Sequence, residues 1–358
     1  MFGSLFSGGK KLIGLDIGST AVKLISGELK GSKFNIDQLI VEVFPPSNAE
    51  VPVTPDNQPL IAAITKCLEQ VNLKKFKLGV GIKGAGILTK KILLPKIPKN
   101  EIPEQVRWEA EQVFPQDIAA TLVDHVLIGE ADQLPNAPKG TKGWEILLIG
   151  VHRDEVSQWR DVIDISSGSA SLVDIEAFAV GDLLDNAFSY SKKKPIALVD
   201  VGATGTRVNV RHKGVSIFIR EFPIGGNTFT DVIGQNLGLS FEDAEALKVQ
   251  SSEGKVPAEA KEALEAVFFQ WKSELQQCED IFISQELNVV IDEWFFYGGG
   301  SRCTGLMDCL NDDRFKGRCS EVKAEKFFKA RGKGTDRDFI EQWAPRLLTA
   351  AALADRSE

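Results

Sequence analysis

Two carboxylates stand where an apolar strand rarely tolerates one. Asp16 lies in the otherwise apolar run Leu12–Ile17, followed by Gly18-Ser19-Thr20 and then a second extended run holding Val22, Lys23, Leu24 and Ile25. A carboxylate in such a strand is costly to bury alone, and a metal ion, or water held on one, would compensate it. The glycine-led turn can present successive N–H groups as a small anion-binding concavity, and Ser19, Thr20 and Lys23 add donors around it. That is the chemistry of a phosphate held beside a divalent cation. One such hairpin is more often architectural, but the pattern recurs in Ile196–Arg211 without a gap. Asp16, Gly18, Thr20 and Lys23 match Asp200, Gly202, Thr204 and Arg207, each pair 184 positions apart, and Leu15, Ile17 and Leu24 match Val199, Val201 and Val208. A repeat so widely separated implies two similar domains rather than a solenoid. Each would present a phosphate hairpin, the second through Gly202, Ala203 and Thr204, with Mg2+ between Asp16 and Asp200.

Three further stretches carry chemistry. Trp294–Leu306 reads as a buried strand followed by Gly298-Gly299-Gly300-Ser301-Arg302, a loop suited to pass close to a nucleotide's base and sugar. Gly225-Gly226 begins a helix, with Asn227 and Thr228 as caps or ligand donors at an anion-attracting N-terminus. Glu245 and Lys248 fall at i and i+3 on another helix and on one face.

The elements that must position these groups follow from periodicity. Strands are expected over 34–43, 77–83, 87–94, 119–128, 144–151 and 171–175, and helices over 60–71, 100–113 (with Asn100 as cap and Pro115 as stop), 154–165, 176–188 and 241–249. Leu264, Val267, Phe268, Trp271, Leu275, Cys278 and Phe282 recur at three and four through one long helix over 257–285, a core stripe rather than a cofactor box. Trp108, Ala110 and Val113 read as core. Pro45, Pro46, Pro52, Pro55 and Pro59 mark a loop, Lys192–Pro195 is a basic linker, and the alanines of 349–354 suit close packing.

Composition narrows the function classes. The chain has 358 residues, enough for two lobes, and a net charge of −8 without a long basic run, which argues against nucleic acid. Five cysteines without metal-ligand spacing read as reduced thiols of an intracellular compartment. No apolar run approaches the roughly 18–20 residues that span a bilayer. Met1–Lys11 is too short and too rich in Gly and Ser for a signal peptide.

The two hairpins and the glycine-rich loop, in this order, resemble the phosphate-1, phosphate-2 and adenosine motifs of the actin/Hsp70/FtsA superfamily. A finer similarity is to the PilM family of type IV pilus assembly proteins, carried by the N-terminal MFGSLF, LPKIP and EIPEQVRWEAEQVFP within 94–115, VDIEAFAV at 173–180, REFPIGGNTFT at 220–230, AEALK at 244–248 and the closing WAPRLLTAAALADR. Ser166–Ser169 departs from the family's Gly-Leu turn. The resemblance implies an α/β, actin-like two-lobed fold of duplicated ribonuclease H-like domains with an inserted 1C (SHS2-type) subdomain. It divides the chain into 1A (1–83 and 153–194), 1C (84–152), 2A (195–230 and 287–358, the last helix on 1A) and 2B (231–286).

It also implies ATP with Mg2+, the nucleoside held by Gly298–Arg302, Glu245 and Lys248, and a water-positioning group at Asp174 or Glu176. From the residues alone, Glu176 equally reads as a helix N-terminal acid offsetting the dipole, and Glu245–Lys248 as an exposed ion pair worth about 0.2–0.5 kcal/mol. The implied partner is the N-terminal cytoplasmic tail of a PilN-like inner-membrane protein, in a groove between 1A and 1C. The implied setting is bacterial and cytoplasmic, peripheral at the inner membrane, in twitching motility. Contact with cytoplasmic motor ATPases, assembly of copies into a ring and the rate of any hydrolysis stay open. Two alternatives share the fold, a polymer-forming FtsA-like ATPase and a sugar kinase, since fold does not fix function.

Overall fold

The computed structural model describes residues 11–44, 53–84, 86–114, 118–132, 138–166, 168–188, 194–251, 258–286, 289–331 and 336–356. The N-terminal MFGSLF, Pro45, Pro46, Pro52, Pro115, Lys192 and Lys193 lie outside the described residues.

The chain begins with an antiparallel meander, β1 (Lys11–Ile17), β2 (Ala21–Lys30) and β3 (Lys33–Val43). Helix α1 (Gln58–Glu69) follows, its N-terminus capped by the Asn57 carboxamide oxygen, which accepts from the Leu60 N–H at 3.2 Å. Leu60, Ile64, Cys67 and Leu68 bury the expected face. The crossover returns the chain as β4 (Phe76–Ile82), parallel to β1.

Strands β5 (Ile87–Pro95), β6 (Thr121–Ala131) and β7 (Gly143–His152) form a separate antiparallel sheet in the order β5-β7-β6, with α2 (Ile102–Val113) between β5 and β6 in the chain. Ile102, Val106 and Ala110 of α2 pack on Leu94, Trp144, Ile146 and Leu148. The Trp144 indole N–H donates to the Ile97 carbonyl at 2.8 Å. Two sequence expectations fail here. Asn100 does not cap α2: a 3-10 turn at Lys99–Glu101 precedes the helix, and Glu101 takes the cap position without a side-chain bond. Trp108 is 63 % exposed rather than core. The buried face runs 102, 106, 110 at four-residue steps, so position 108 is turned about 200° from 106 and faces away.

Helix α3 (Arg153–Ile165) buries Trp159, Val162 and Ile163 and leads into β8 (Ala170–Ile175), parallel to β4, and α4 (Glu176–Ala187). At the departure from the family turn, Gly168 N–H donates to the Ile163 carbonyl at 2.9 Å and the Ser166 hydroxyl to the Val162 carbonyl at 2.7 Å, so the helix end is closed by local bonds.

The second meander is β9 (Ile196–Val201), β10 (Thr206–His212) and β11 (Val215–Phe222). Helices α5 (Gly226–Leu237), α6 (Phe241–Ser251) and α7 (Ala258–Gln285) follow, then β12 (Glu293–Tyr297), parallel to β9, and β13 (Cys319–Glu321). The α7 stripe is core as expected, with Trp271, Leu275 and Phe282 fully buried among Phe218, Phe229 and Phe296. The chain closes with α8 (Ala324–Phe327), β14 (Phe328–Ala330), α9 (Arg337–Trp343) and α10 (Leu348–Ala354).

The duplication is therefore architectural as well as sequential. The first sheet runs β14-β3-β2-β1-β4-β8 and the second β11-β10-β9-β12-β13, the same antiparallel meander with two parallel strands added beyond its first member. Helix α10 packs on β1, β2 and α4. Its backbone comes so near β1 that a Cβ on Gly14 would lie 2.0 Å from the Ala350 carbonyl oxygen, so only glycine fits there.

Two compact units result: Met1–Ile82 with Ser157–Ser189 and Lys323–Glu358, and Lys83–Val156 with Tyr190–Val322. The return to the first unit thus begins at Lys323, with β14 pairing β3, where the sequence reading puts only the last helix there. The β5-β7-β6 sheet groups with the second unit, where Lys91 of β5 is ion-paired with Glu286 at the end of α7.

Candidate functional site

In the first unit the β1–β2 register sets Asp16 directly opposite Lys23. The Lys23 Nζ lies 2.7 Å from Asp16 Oδ2, and both residues are buried. The turn between them closes by a bond from Gly18 N–H to the Ala21 carbonyl at 3.0 Å, and the ammonium lies 2.9 Å from where a Gly18 Cβ would be. The counter-charge that Asp16 needs is therefore supplied by Lys23, where the sequence reading looks to a metal ion or its water. The reason is the hairpin itself, which makes residues seven apart cross-strand neighbours.

The second unit repeats the device with a looser fit. Asp200 is opposite Arg207, and Gly202 N–H donates to the Gly205 carbonyl at 2.9 Å. Arg207 is shared: Nη1 is 3.5 Å from Asp200 Oδ2 and Nε is 3.4 Å from Glu221 Oε2, on the opposite strand. Asp200 and Glu221 are more exposed than Asp16, and the trio carries a formal charge of −1 where the first pair is neutral.

Around the second turn, segments distant in sequence converge. The start of α5 rests on it: Gly226 N–H donates to the Gly202 carbonyl at 2.9 Å and Asn227 N–H to the Ala203 carbonyl at 2.7 Å. Those two amides are thus engaged within the protein, although helix starts commonly offer them to anions. Lys248 of α6 donates to the Gly226 carbonyl at 2.8 Å and pairs with Glu245 at 2.5 Å. The Glu245–Lys248 pair is therefore half-buried against α5, not a solvated surface pair.

The loop after β12 closes the cluster. Gly298 has φ +92°, and a Cβ there would lie 2.4 Å from Asp200 Oδ1. Gly300 approaches Val201 and Gly202 in the same way, and the buried Ser301 hydroxyl donates to the Gly298 carbonyl at 2.8 Å. Burial pushes the neighbouring Cys303 thiol up to about 11, against the pull of the Lys248 charge.

Unit 2 therefore brings together Asp200, Gly202, Ala203, Gly225, Gly226, Asn227, Glu245, Lys248, Gly298 and Gly300. Thr204 is exposed at the turn, and Arg302 is exposed on the 3-10 turn Gly299–Arg302. In unit 1, Asp16, Gly18, Ser19, Thr20 and Lys23 belong to the first hairpin, and Asp174 and Glu176 lie at the end of β8 and the start of α4. β1, β4 and β8 are parallel, so Asp16 and Asp174 lie at the same, C-terminal, edge, where α/β sheets bind ligands. Asp174 is tied down: one oxygen accepts from Ile175 N–H at 2.7 Å and the other is paired with Arg356, which also holds Asp182. Glu176 is buried, its Cγ 2.5 Å from where a Gly81 Cβ would stand.

Two residues escape the sequence reading. Glu221 as a partner of Arg207 is recoverable from meander register. Thr230, hydrogen-bonded to Lys248 and Glu245, leaves no signal except its place one turn after Gly226. Among the described residues no three His, Cys, Asp or Glu side chains converge as a metal site. A cavity of about 630 Å³ between α5 and α7, lined by Thr228, Val232, Glu262 and Ala266 among others, contains none of the converging residues.

A family model described as "Type IV pilus assembly protein PilM" matches residues 14–358. Among solved structures, a chain of a "PilM-PilN type IV pilus biogenesis complex" is 20 % identical, with a TM-score of 0.74 over 96 % of this chain and 97 % of that one. The ethanolamine utilization protein EutJ from Carboxydothermus hydrogenoformans is 12 % identical, with a TM-score of 0.49 over 98 % and 91 %. A Bacteroides thetaiotaomicron protein described as having an actin-like ATPase fold is 9 % identical, with a TM-score of 0.44 over 97 % and 96 %. The fold that the resemblance implies, α/β and actin-like, is the fold found.

Proposed function

The chain belongs to the PilM family of type IV pilus assembly proteins, and from that premise we propose that it is a cytoplasmic ATP-binding assembly protein. Its partner in this reading is the N-terminal cytoplasmic tail of a PilN-like inner-membrane protein, through which it links the pilus motor to the membrane-embedded alignment complex. The existence of a solved complex between PilM and PilN supports that partner. Among the described residues no helix is long and apolar enough to cross a membrane.

The observation that carries nucleotide binding is the convergence in unit 2 of the Gly202–Gly205 turn, the α5 start, Glu245–Lys248 and the Gly298 loop. In this reading Gly18, Ser19, Thr20 and Lys23 of one unit and Gly202, Ala203 and Thr204 of the other bind the phosphates. Gly225–Asn227, Glu245, Lys248 and Gly298–Arg302 bind the nucleoside. The donor set suits Mg2+, which keeps several waters and leans on one or two carboxylates beside phosphate. In this reading Asp200, 3.5 Å from the Arg207 guanidinium and partly exposed, would hold it, and Asp16 would join once phosphate draws Lys23 away. Magnesium would neutralise phosphate charge. Glu176, or Asp174 if Arg356 releases it, would position water for hydrolysis.

Bound nucleotide would set the geometry between lobes and thereby the partner groove, which requires different affinities for open and closed forms. ATP at about a hundredfold over Kd stabilises the competent form by roughly 2.7 kcal/mol. The test is thermal unfolding with and without Mg-ATP. ATP raises the melting temperature of the native chain, and Asp16→Ala with Asp200→Ala removes the shift. A shift that survives in the double variant defeats the site assignment.

A further inference from the structure

The Glu245–Lys248 pair has a third member. Thr230 of α5 is fully buried one helical turn after Gly226. Its hydroxyl lies 2.6 Å from Lys248 Nζ, 2.5 Å from Glu245 Oε2 and 3.0 Å from the Gly226 carbonyl oxygen. A hydroxyl has one proton to give and two lone pairs to accept with. The Lys248 ammonium can only donate, so it donates to Thr230, and the single Thr230 proton goes to the nearer, charged acceptor, Glu245. The Gly226 carbonyl is then served by Lys248 at 2.8 Å. The circuit closes with each proton assigned, and it ties two side chains of α6 to the backbone at the start of α5.

We infer that Thr230 is a positioning residue for the nucleoside end of the proposed site, fixing Glu245 and Lys248 against the α5 start; this inference rests on the nucleotide reading above. An i,i+3 acid–lysine pair on one helix is weak and both side chains are long and flexible. The β-branched threonine, by contrast, is stiff at χ1 and is itself buried. It supplies the fixed point from which the other two are aimed. The phosphate end is built on the two hairpin turns; the circuit meets the second turn through backbone, Gly226 N–H donating to the Gly202 carbonyl at 2.9 Å, while the Thr230 hydroxyl bonds go to Gly226, Glu245 and Lys248 and to neither turn.

The test is calorimetric titration of the full chain with ATP and with inorganic tripolyphosphate, for the native sequence and for T230V, T230A and T230S. T230V is nearly isosteric, and T230A removes the same hydroxyl with less bulk should valine prevent folding. Loss of a charge-assisted hydrogen bond predicts that T230V or T230A weakens ATP about tenfold, while tripolyphosphate affinity holds within about twofold. T230S, which keeps the hydroxyl, restores ATP binding. ATP affinity unchanged in T230V and T230A overturns this inference alone, and equal loss of both ligands overturns it by showing a general structural role. Absence of ATP binding by the native chain removes the nucleotide site and this inference with it.

Discussion

Replacing Lys23 by methionine tests how the first hairpin tolerates its acid. Asp16 is only 4 % exposed and its oxygen lies 2.7 Å from the ammonium, inside the sheet. Methionine keeps the length and apolar stem of lysine and deletes the charge, so the carboxylate is left buried without its counter-ion. Removing one partner of a buried pair costs about 3–5 kcal/mol, because an uncompensated charge remains. At about 2–4 °C per kcal/mol for a cooperative unit of 150–250 residues, the melting temperature falls by roughly 6–20 °C. Asp16→Asn in the same chain removes the stranded charge and recovers much of the loss, so the two substitutions are strongly non-additive. Arg207→Met is the internal comparison: its carboxylate partners are partly exposed and 3.4–3.5 Å away, so water can reach them once the guanidinium is gone, and the cost is expected to be smaller than that of Lys23→Met. Denaturant unfolding of the four variants measures each term. A Lys23→Met cost below about 1 kcal/mol, or strict additivity with Asp16→Asn, would refute the claim that lysine does the work of a cation here.

Gly298→Ala forces a side chain into a positive-φ position and 2.4 Å from the Asp200 carboxylate; a loss of at least about 1–3 kcal/mol is expected in thermal or denaturant unfolding, with ATP affinity falling alongside. Burial pushes Cys67, Cys278, Cys309 and Cys319 up to about 12 and Cys303 to about 11, from an ordinary thiol value near 9. A thiol reagent at pH 8 should therefore modify the native chain slowly at all five and the denatured chain fast. The unfolded thiols ionise first, so stability should also fall as the pH rises through about 9, which alkaline unfolding curves would record.

Much of the molecule is legible in its sequence because local patterns agree with the global fold. The constant spacing between Asp16-Gly18-Thr20-Lys23 and Asp200-Gly202-Thr204-Arg207 becomes two turns closed by the same backbone bond. The α7 stripe holds because a three-and-four repeat leaves a long helix only one face to bury. Trp108 reads as core by residue type, and its angle on the helix wheel overrides that. The pairing of Asp16 with Lys23 needs the strand register, which residue type alone does not state. The amides of Gly226 and Asn227 are expected to face a ligand, and their engagement by Gly202 and Ala203 depends on two segments more than twenty residues apart meeting. No motif encodes that contact.

The place of α10 against Gly14 has a consequence for biosynthesis. Strand β1 leaves the ribosome long before α10, the helix that braces it. β1, β2 and α4 must therefore wait, with their apolar undersides uncovered, while Tyr190–Val322 is already available to condense. Nascent chains cut short before Leu348 should be chaperone clients, and the first sheet should become protease-resistant only after Tyr190–Val322 does.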